Sequence, residues 1–68
     1  MSIEVQIIRG KTLSLIEVEP DSTIADLMEQ IGVNRETVLT RLNDEVAVEE
    51  ERLKGGDVVE IIMAISGG

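Results

Sequence analysis

The chain has 68 residues, with 14 acidic and six basic side chains and a formal net charge of −8 at pH 7. It contains no cysteine, histidine or aromatic residue, which excludes zinc sites, iron–sulfur sites and catalytic triads that depend on Cys or His. Six scattered basic residues, with no aromatic ring to stack on a base, argue against a nucleic-acid partner. The negative charge argues equally against an anionic membrane surface.

The length predicts a single small domain with a purely aliphatic core. A chain of this size buries only about 60% of the surface that its unfolded form exposes, and neither disulfides nor zinc can compensate here. Residues 1–10 lack the features of a signal peptide, and no apolar run approaches the roughly 18 residues of a membrane span. We expect a cytoplasmic protein and a monomer. The acidic excess is either a solvated face or an attraction for a partner with a basic docking surface.

The first residues predict a half-buried strand. Residues Ile3–Arg9 alternate between apolar and polar side chains, which is the period of a strand with one face in the core. Ile3, Val5 and Ile7 then face the core. Ile8 breaks the pattern and places an apolar group on the outer face.

A second strand is predicted over Thr12–Val18, after a short turn at Gly10-Lys11. The two strands form a hairpin. The apolar residues of the second strand change phase between Leu15 and Ile16. Such a change indicates a bulge, a twist or a misplaced strand end.

A helix is predicted over about Thr23–Ile31. Ser22 or Thr23 supplies an N-cap oxygen, and with Thr23 as the cap, Asp26 completes a weak capping box. Gly32 follows where a helix commonly ends in a left-handed residue. One apolar stripe at helical spacing marks the face toward the core. The stripe consists of Ile24, Leu27, Met28 and Ile31.

Two short strands are predicted next, after a connector at residues 33–36. The first is Val38–Leu42, with Val38, Thr40 and Leu42 on one face and Leu39 and Arg41 on the other. Asn43-Asp44 predicts a tight turn, because both residues tolerate positive φ better than most. The second short strand is Val46–Val48.

The last strand, Val58–Met63, is apolar on both faces except at Glu60, which is typical of a central strand. Before it, residues 49–52 predict a charged loop or one helical turn. Leu53 is predicted to enter the core, and Lys54–Asp57 predicts a turn.

The order of elements predicts the fold. Strand, strand, helix, strand, strand, strand requires the helix to cover one face of a mixed sheet. The heavily apolar last strand belongs in the middle, beside the first. The prediction is therefore an α+β protein with a β-grasp fold, four to five strands and one main helix. We assign residues 1–63 to this domain and residues 64–68 to a flexible tail that ends in Gly67-Gly68.

The side-chain chemistry argues against an enzyme. Lys54-Gly55-Gly56 lacks the spacing of a phosphate-binding loop, and Glu49-Glu50-Glu51 lacks the alternating ligands of a calcium loop. We expect neither a catalytic residue nor a metal site in the chain. The terminal carboxylate of Gly68 is then the candidate reactive group, unless the Gly-Gly end is an ordinary frayed terminus.

The chain resembles the ubiquitin-like sulfur carriers of thiamine and molybdopterin synthesis, and the small archaeal ubiquitin-like modifiers. The resemblance is strongest over Leu53–Ile61, an apolar tail and Gly67-Gly68, and it extends to the hairpin, the Ser22–Met28 helix start and the Leu42-Asn43-Asp44 turn. Two features depart from these families. Asp44 stands where they usually have Gly, and there is no aromatic residue to make any family contact that uses one.

The resemblance implies a mechanism centred on Gly68. A free carboxylate is a poor electrophile, so an activating enzyme would adenylate it with ATP and magnesium that the enzyme, and not this chain, binds. A sulfur nucleophile would then leave a thiocarboxylate for sulfur transfer (thiamine, molybdopterin or tRNA thiolation) or an enzyme thioester. The implied partners are the activating enzyme and a sulfur-accepting enzyme or target-protein lysines. The alternative is a non-covalent binding module or subunit with an incidental Gly-Gly terminus.

A tail of this kind also requires a docking surface on the folded body. Gly67 and Gly68 suit a narrow channel, and ordering the tail costs about 1–2 kcal/mol per residue, which contacts from the body must offset. We predict that the outer sheet face makes these contacts, unless strand irregularity buries some of its residues. The predicted docking patch consists of Ile8, Val58, Ile62, Leu39 and Arg41. Lys11 and Lys54 are the candidate acceptors for self-conjugation.

Overall fold

The structure is a computed structural model that describes residues 1–63, and the predicted tail at residues 64–68 lies outside this range. The elements follow the predicted order. They are β1 (Ile3–Arg9), β2 (Thr12–Val18), α1 (Ile24–Ile31), a 3₁₀ helix (Arg35–Thr37), β3 (Val38–Leu42), β4 (Glu45–Val46) and β5 (Val58–Met63).

The strands form one mixed sheet in the order β2-β1-β5-β3-β4. β5 lies in the middle, parallel to β1 and antiparallel to β3. The antiparallel pairs β1–β2 and β3–β4 lie on either side of it, and α1 packs its buried residues against one face. The β-grasp arrangement and the central place of the last strand beside the first are therefore confirmed.

The β1–β2 hairpin contains no bulge. Its pairing runs without interruption from Ile3 and Val18 to Arg9 and Thr12, and both strands end where the sequence predicted. The change of phase in β2 has a simpler cause. The core-facing side of β2 is buried only near the C-terminal end of the strand. The leucines at 13 and 15 lie on the opposite side of β2, which is exposed.

The helix begins and ends as its capping residues dictate. Thr23 is the N-cap: its Oγ1 accepts a hydrogen bond from the backbone N–H of Asp26 at 3.2 Å, and Asp26 Oδ2 accepts from the N–H of Thr23 at 3.0 Å. Gly32 takes the left-handed conformation with a φ of 76°, and its N–H bonds the last turn. Both predicted caps are confirmed.

The core is aliphatic and lies between α1 and one face of the sheet. The predicted stripe supplies three fully buried residues, while Ile31 is half-buried at its edge, and Leu53 is buried as predicted. The buried residues are Val5, Ile7, Val18, Ile24, Leu27, Met28, Leu53, Val59 and Ile61. Among the described residues, no buried side-chain nitrogen or oxygen is left without a hydrogen bond.

One prediction for the second half is wrong in detail. β4 is Glu45–Val46, and not Val46–Val48, because the chain leaves the ladder after Val46. Ala47 is held differently: its N–H donates to the carbonyl of Thr40, and the Thr40 hydroxyl donates to its carbonyl, each at 3.1 Å. One backbone bond and one side-chain bond therefore connect Ala47 to Thr40 beyond the end of the strand.

The connector at 33–36 also contains structure that the sequence did not predict. The Asn34 side chain accepts a hydrogen bond from the backbone N–H of Glu36 at 2.9 Å and caps the 3₁₀ helix. After β4, the chain returns to the start of α1, where the N–H groups of Ile24 and Ala25 donate to the carbonyls of Glu51 and Glu49. These bonds satisfy two donors that a helix start leaves free.

Candidate functional site

The chain leaves the described domain at the end of β5, which is the central strand of the sheet. β5 is hydrogen-bonded on both sides, to β1 over four residue pairs and to β3 over five. Two of its own residues, Val59 and Ile61, are buried at 0% and 3% exposure. At the end of the strand, Ile62 and Met63 are paired with β3 only.

Side-chain hydrogen bonds fix the register of β5 at its beginning. Asn43 has a φ of 52°, so it turns tightly, and its Oδ1 accepts from the N–H of Val58 at 3.0 Å. Its Nδ2 donates to Asp57 Oδ1 at 3.2 Å, while Asp57 Oδ2 accepts from the N–H of Lys54 at 2.7 Å. The Asn43–Asp57 pair thus joins the turn after β3 to the turn before β5.

The five residues of the predicted docking patch all lie on one side of the sheet, which we call the outer face because α1 covers the other side. The pairing places Leu39 beside Ile62, Ile8 beside Glu60, and Arg41 on the other side of Glu60. Leu39 is 55% exposed and Ile62 37% exposed, whereas Ile8 and Val58 are half-buried. The strands therefore bring the predicted patch together, and its role in docking stays a prediction.

A polar pair lies in the centre of the outer face. Arg41 Nη1 lies 3.6 Å from Glu60 Oε1, and its Nη2 donates to the backbone carbonyl of Asp44 at 2.9 Å. Both side chains are more than a third exposed, so the ion pair adds little to stability. The ion pair places two charged groups in the middle of a surface with apolar residues around them. A partner that binds this face must accommodate both charges.

The sequence reasoning missed two members of the outer face. Leu13 and Leu15 lie on β2 beside Ile8 and Gln6, and they are 60% and 59% exposed. The signal was present in the sequence as the change of phase in β2, which two outward-facing leucines explain without a bulge. With these two residues, the outer face extends across the sheet from β2 to β3.

An open groove of about 580 Å³ lies at the point where the chain leaves β5. It is formed between the end of β1 and the last residues of β5, and Gly10 turns there with a φ of 59°. The lining residues are Arg9, Gly10, Glu60, Ile61, Ile62 and Met63. The groove connects the outer face with the base of the tail.

The remaining predicted site residues are spread over the molecule. Lys11 lies in the turn between β1 and β2, Lys54 lies before β5, and both are exposed. Gly67 and Gly68 lie outside the described residues. Within residues 1–63, no three acidic side chains are grouped so that they could hold a metal ion, and no helix is long and apolar enough to cross a bilayer.

The chain is similar to known proteins over nearly its whole length. Residues 4–68 match the ThiS family. The chain is 32% identical over 53 residues to the sulfur carrier protein TtuB of Thermus thermophilus, and the match covers 78% of this chain and 82% of that protein.

Solved structures give the same fold. The thiamine biosynthesis protein ThiS of Geobacter metallireducens is 24% identical with a TM-score of 0.66, over 93% of this chain and 99% of that one. A ubiquitin of Caldiarchaeum subterraneum is 16% identical with a TM-score of 0.72, over the full length of both chains. These likenesses confirm a ubiquitin-like β-grasp fold.

Proposed function

Because the chain belongs to the ThiS family, we propose that it is a sulfur carrier whose working group is the carboxylate of Gly68. The resemblance to ubiquitin-like sulfur carriers is confirmed by the family match and by the likeness to TtuB. The observation that carries the proposal is the extent of the family match, which continues through the Gly-Gly end. A match confined to the folded body would have supported the fold alone.

The proposed reaction has two steps at one carbon atom. An activating enzyme transfers AMP from ATP to the Gly68 carboxylate and releases pyrophosphate, which converts a negative, unreactive group into a mixed anhydride. A sulfide sulfur then attacks the carbonyl carbon and displaces AMP, so that one carboxylate oxygen is replaced by sulfur. The ATP and magnesium belong to the activating enzyme. This chain is a substrate and does no catalysis itself.

The folded body is suited to present such a tail. β5 leads directly toward it from the centre of the sheet, and the Asn43–Asp57 hydrogen bonds hold the start of β5 in register. The outer face lies beside the point where the tail begins and offers exposed Leu39 and Ile62 to a partner. Contacts on this face are proposed to offset the entropy of ordering the tail in the activating enzyme.

The same activated tail could also form an isopeptide bond, and we include this second outcome in the proposal. Attack on the activated carbonyl by an enzyme thiol gives a thioester, from which a lysine amine displaces the thiol. Target-protein lysines, or Lys11 and Lys54 of another copy, are the acceptors by this route. Both outcomes share the adenylation step and therefore need the same tail.

Removing Gly68 tests the proposal directly. The cognate activating enzyme should exchange labelled pyrophosphate into ATP in the presence of the full chain and lose this activity with the truncated chain. The truncated chain should unfold at the same denaturant concentration as the full chain, because β5 ends at Met63. If the truncated chain supports exchange as well as the full one, the terminal carboxylate is not the reacting group.

Peptide mapping of proteins from the native cell separates the two outcomes. Lys54 is the last basic residue of the chain, so after digestion with trypsin conjugation leaves residues 55–68 attached to lysine side chains, and sulfur transfer alone leaves none. Replacing Lys11 and Lys54 by Arg together would remove self-conjugation while keeping the charge. Conjugates to other proteins should persist in that variant.

A further inference from the structure

The sheet has an open edge that is unusually suited to pairing. β2 is the outermost strand on its side, and within residues 1–63 no strand pairs with its outer edge. Such an edge presents unpaired N–H and C=O groups, and natural proteins commonly protect it with charges, prolines or bulges. Between Thr12 and Ile16, β2 has none of these, and its ladder with β1 is regular over seven residue pairs.

The same strand exposes two large apolar side chains. Leu13 and Leu15 are 60% and 59% exposed on the outer face. They are flanked by one charge of each sign, since Lys11 immediately precedes β2 and Glu17 lies near its end. Both flanking residues are exposed; within the chain, Glu17 Oε2 accepts a hydrogen bond from the Ser2 hydroxyl at 2.7 Å, and the Glu17 carbonyl accepts one from Gln30 Nε2 at 2.9 Å. The strand therefore carries a symmetric pattern of positive, apolar, apolar and negative groups at every second position.

We propose that two copies of the chain associate reversibly by antiparallel pairing of their β2 strands, with a two-fold axis at Ser14. In this register, Leu13 of each copy faces Leu15 of the second copy, and Lys11 of each copy faces Glu17 of the second copy. The dimer thus gains two leucine pairs and two opposite-charge pairs on one face, together with the backbone hydrogen bonds of a new ladder.

Neighbouring registers are worse, which makes the pairing specific. An axis at Leu15 places Leu13 opposite Glu17, and an axis at Leu13 places Lys11 opposite Leu15. Registers in which the side chains of facing residues lie on opposite faces are excluded by the alternation of a strand. Only the axis at Ser14 matches apolar with apolar and positive with negative residues.

The dimer is expected to be weak and reversible. Two seven-residue strands bury less than the roughly 1,200–2,000 Å² of a stable interface, and the net charge of −8 on each copy opposes association. A dissociation constant of roughly 0.1–1 mM fits these opposing terms. The proposal replaces the expectation of a monomer, and it leaves Leu39 and Ile62 outside the pairing strands.

Sedimentation equilibrium of the full chain tests the proposal. Between about 20 µM and about 1 mM, the average mass should rise from the 7.4 kDa of one chain toward twice that value. Lys11→Glu places like charges opposite each other twice and should raise the dissociation constant about tenfold. Lys11→Glu combined with Glu17→Lys should restore it to within about threefold of the original.

A matched control separates register from net charge. Lys11→Glu combined with Glu45→Lys has the same net charge as the restoring pair, but Glu45 lies in β4 at the opposite edge of the sheet. This variant should stay as weak as Lys11→Glu alone. Backbone amide signals of residues 12–16 should shift with concentration in the original chain and in the restored one. A constant mass of 7.4 kDa over the whole range, or equal recovery by both double variants, would overturn the proposal.

Discussion

Both faces of the sheet carry aliphatic side chains, which are buried on the inner face and largely exposed on the outer face. On the inner face, Val5, Ile7, Val59 and Ile61 are at most 3% exposed and pack against the helix. On the outer face, the leucines at 13, 15 and 39 are 55–60% exposed. Residue type alone therefore does not distinguish buried positions from exposed ones. The position of a residue in the alternation of its strand does distinguish them.

The difference matters because the domain is small. A protein of this size has few buried residues to spare, so each inner-face side chain contributes a large part of its stability. The exposed leucines of the outer face bury less surface, so we expect them to contribute less to stability than the inner-face residues. A carrier that must be captured and released by partners would benefit from this separation.

The largest expected effect is on the inner side. Leu27 of α1 is fully buried, so Leu27→Ala should lower the free energy of unfolding by about 2–5 kcal/mol. Leu39→Ala removes the same atoms from the outer face, where the side chain is 55% exposed, and should cost less than about 1 kcal/mol. Urea denaturation of both variants measures the contrast. Equal losses would mean that the two faces do not differ as described.

An intermediate effect is expected at the turn that fixes β5. Asp57→Ala removes the acceptor of the Lys54 N–H and the partner of the Asn43 amide, which should cost about 1–3 kcal/mol. Asp57→Asn keeps one acceptor oxygen and should cost less. Thermal unfolding of both variants gives the comparison. If the alanine variant is as stable as the original, the turn does not hold β5 in register.

The sequence predicted the parts of the fold that follow from local pattern. The alternation of Ile3–Arg9, the stripe of α1 and the caps at Thr23 and Gly32 are each fixed by neighbouring residues, and all were found where predicted. β4 was misplaced because a two-residue strand carries too little pattern. After Val46, the chain bonds through Ala47 to the backbone and hydroxyl of Thr40, a residue seven positions away.

The outer face was predicted in part for the same reason. Ile8 was identified because it breaks the alternation of its strand, whereas Leu39 and Ile62 were assigned to the outer face from their positions in β3 and β5. Leu13 and Leu15 were missed because β2 has apolar residues on both faces, and only the pairing with β1 shows which side is outward. The Arg41–Glu60 pair joins β3 to β5, so no local pattern could reveal it.

The smallest effect on stability is expected at Ile62, together with a clear effect on partner capture. Ile62→Thr keeps a β-branched side chain, so the free energy of unfolding should fall by less than about 1 kcal/mol. The apparent KM of the activating enzyme for the carrier should rise about tenfold, because an apolar contact is lost. Val46→Thr, at a residue 77% exposed in β4, is the control and should leave KM unchanged. Identical KM values for both variants would remove Ile62 from the docking patch.

Intact-mass analysis after incubation with the activating enzyme shows whether Gly68 carries sulfur. With ATP, magnesium and a sulfide source, the mass should rise by the difference between one sulfur and one oxygen atom, and fragmentation should place the change at the C-terminus. The chain without Gly68 should keep its mass. An unchanged mass of the full chain under conditions in which the enzyme consumes ATP would contradict the proposed function.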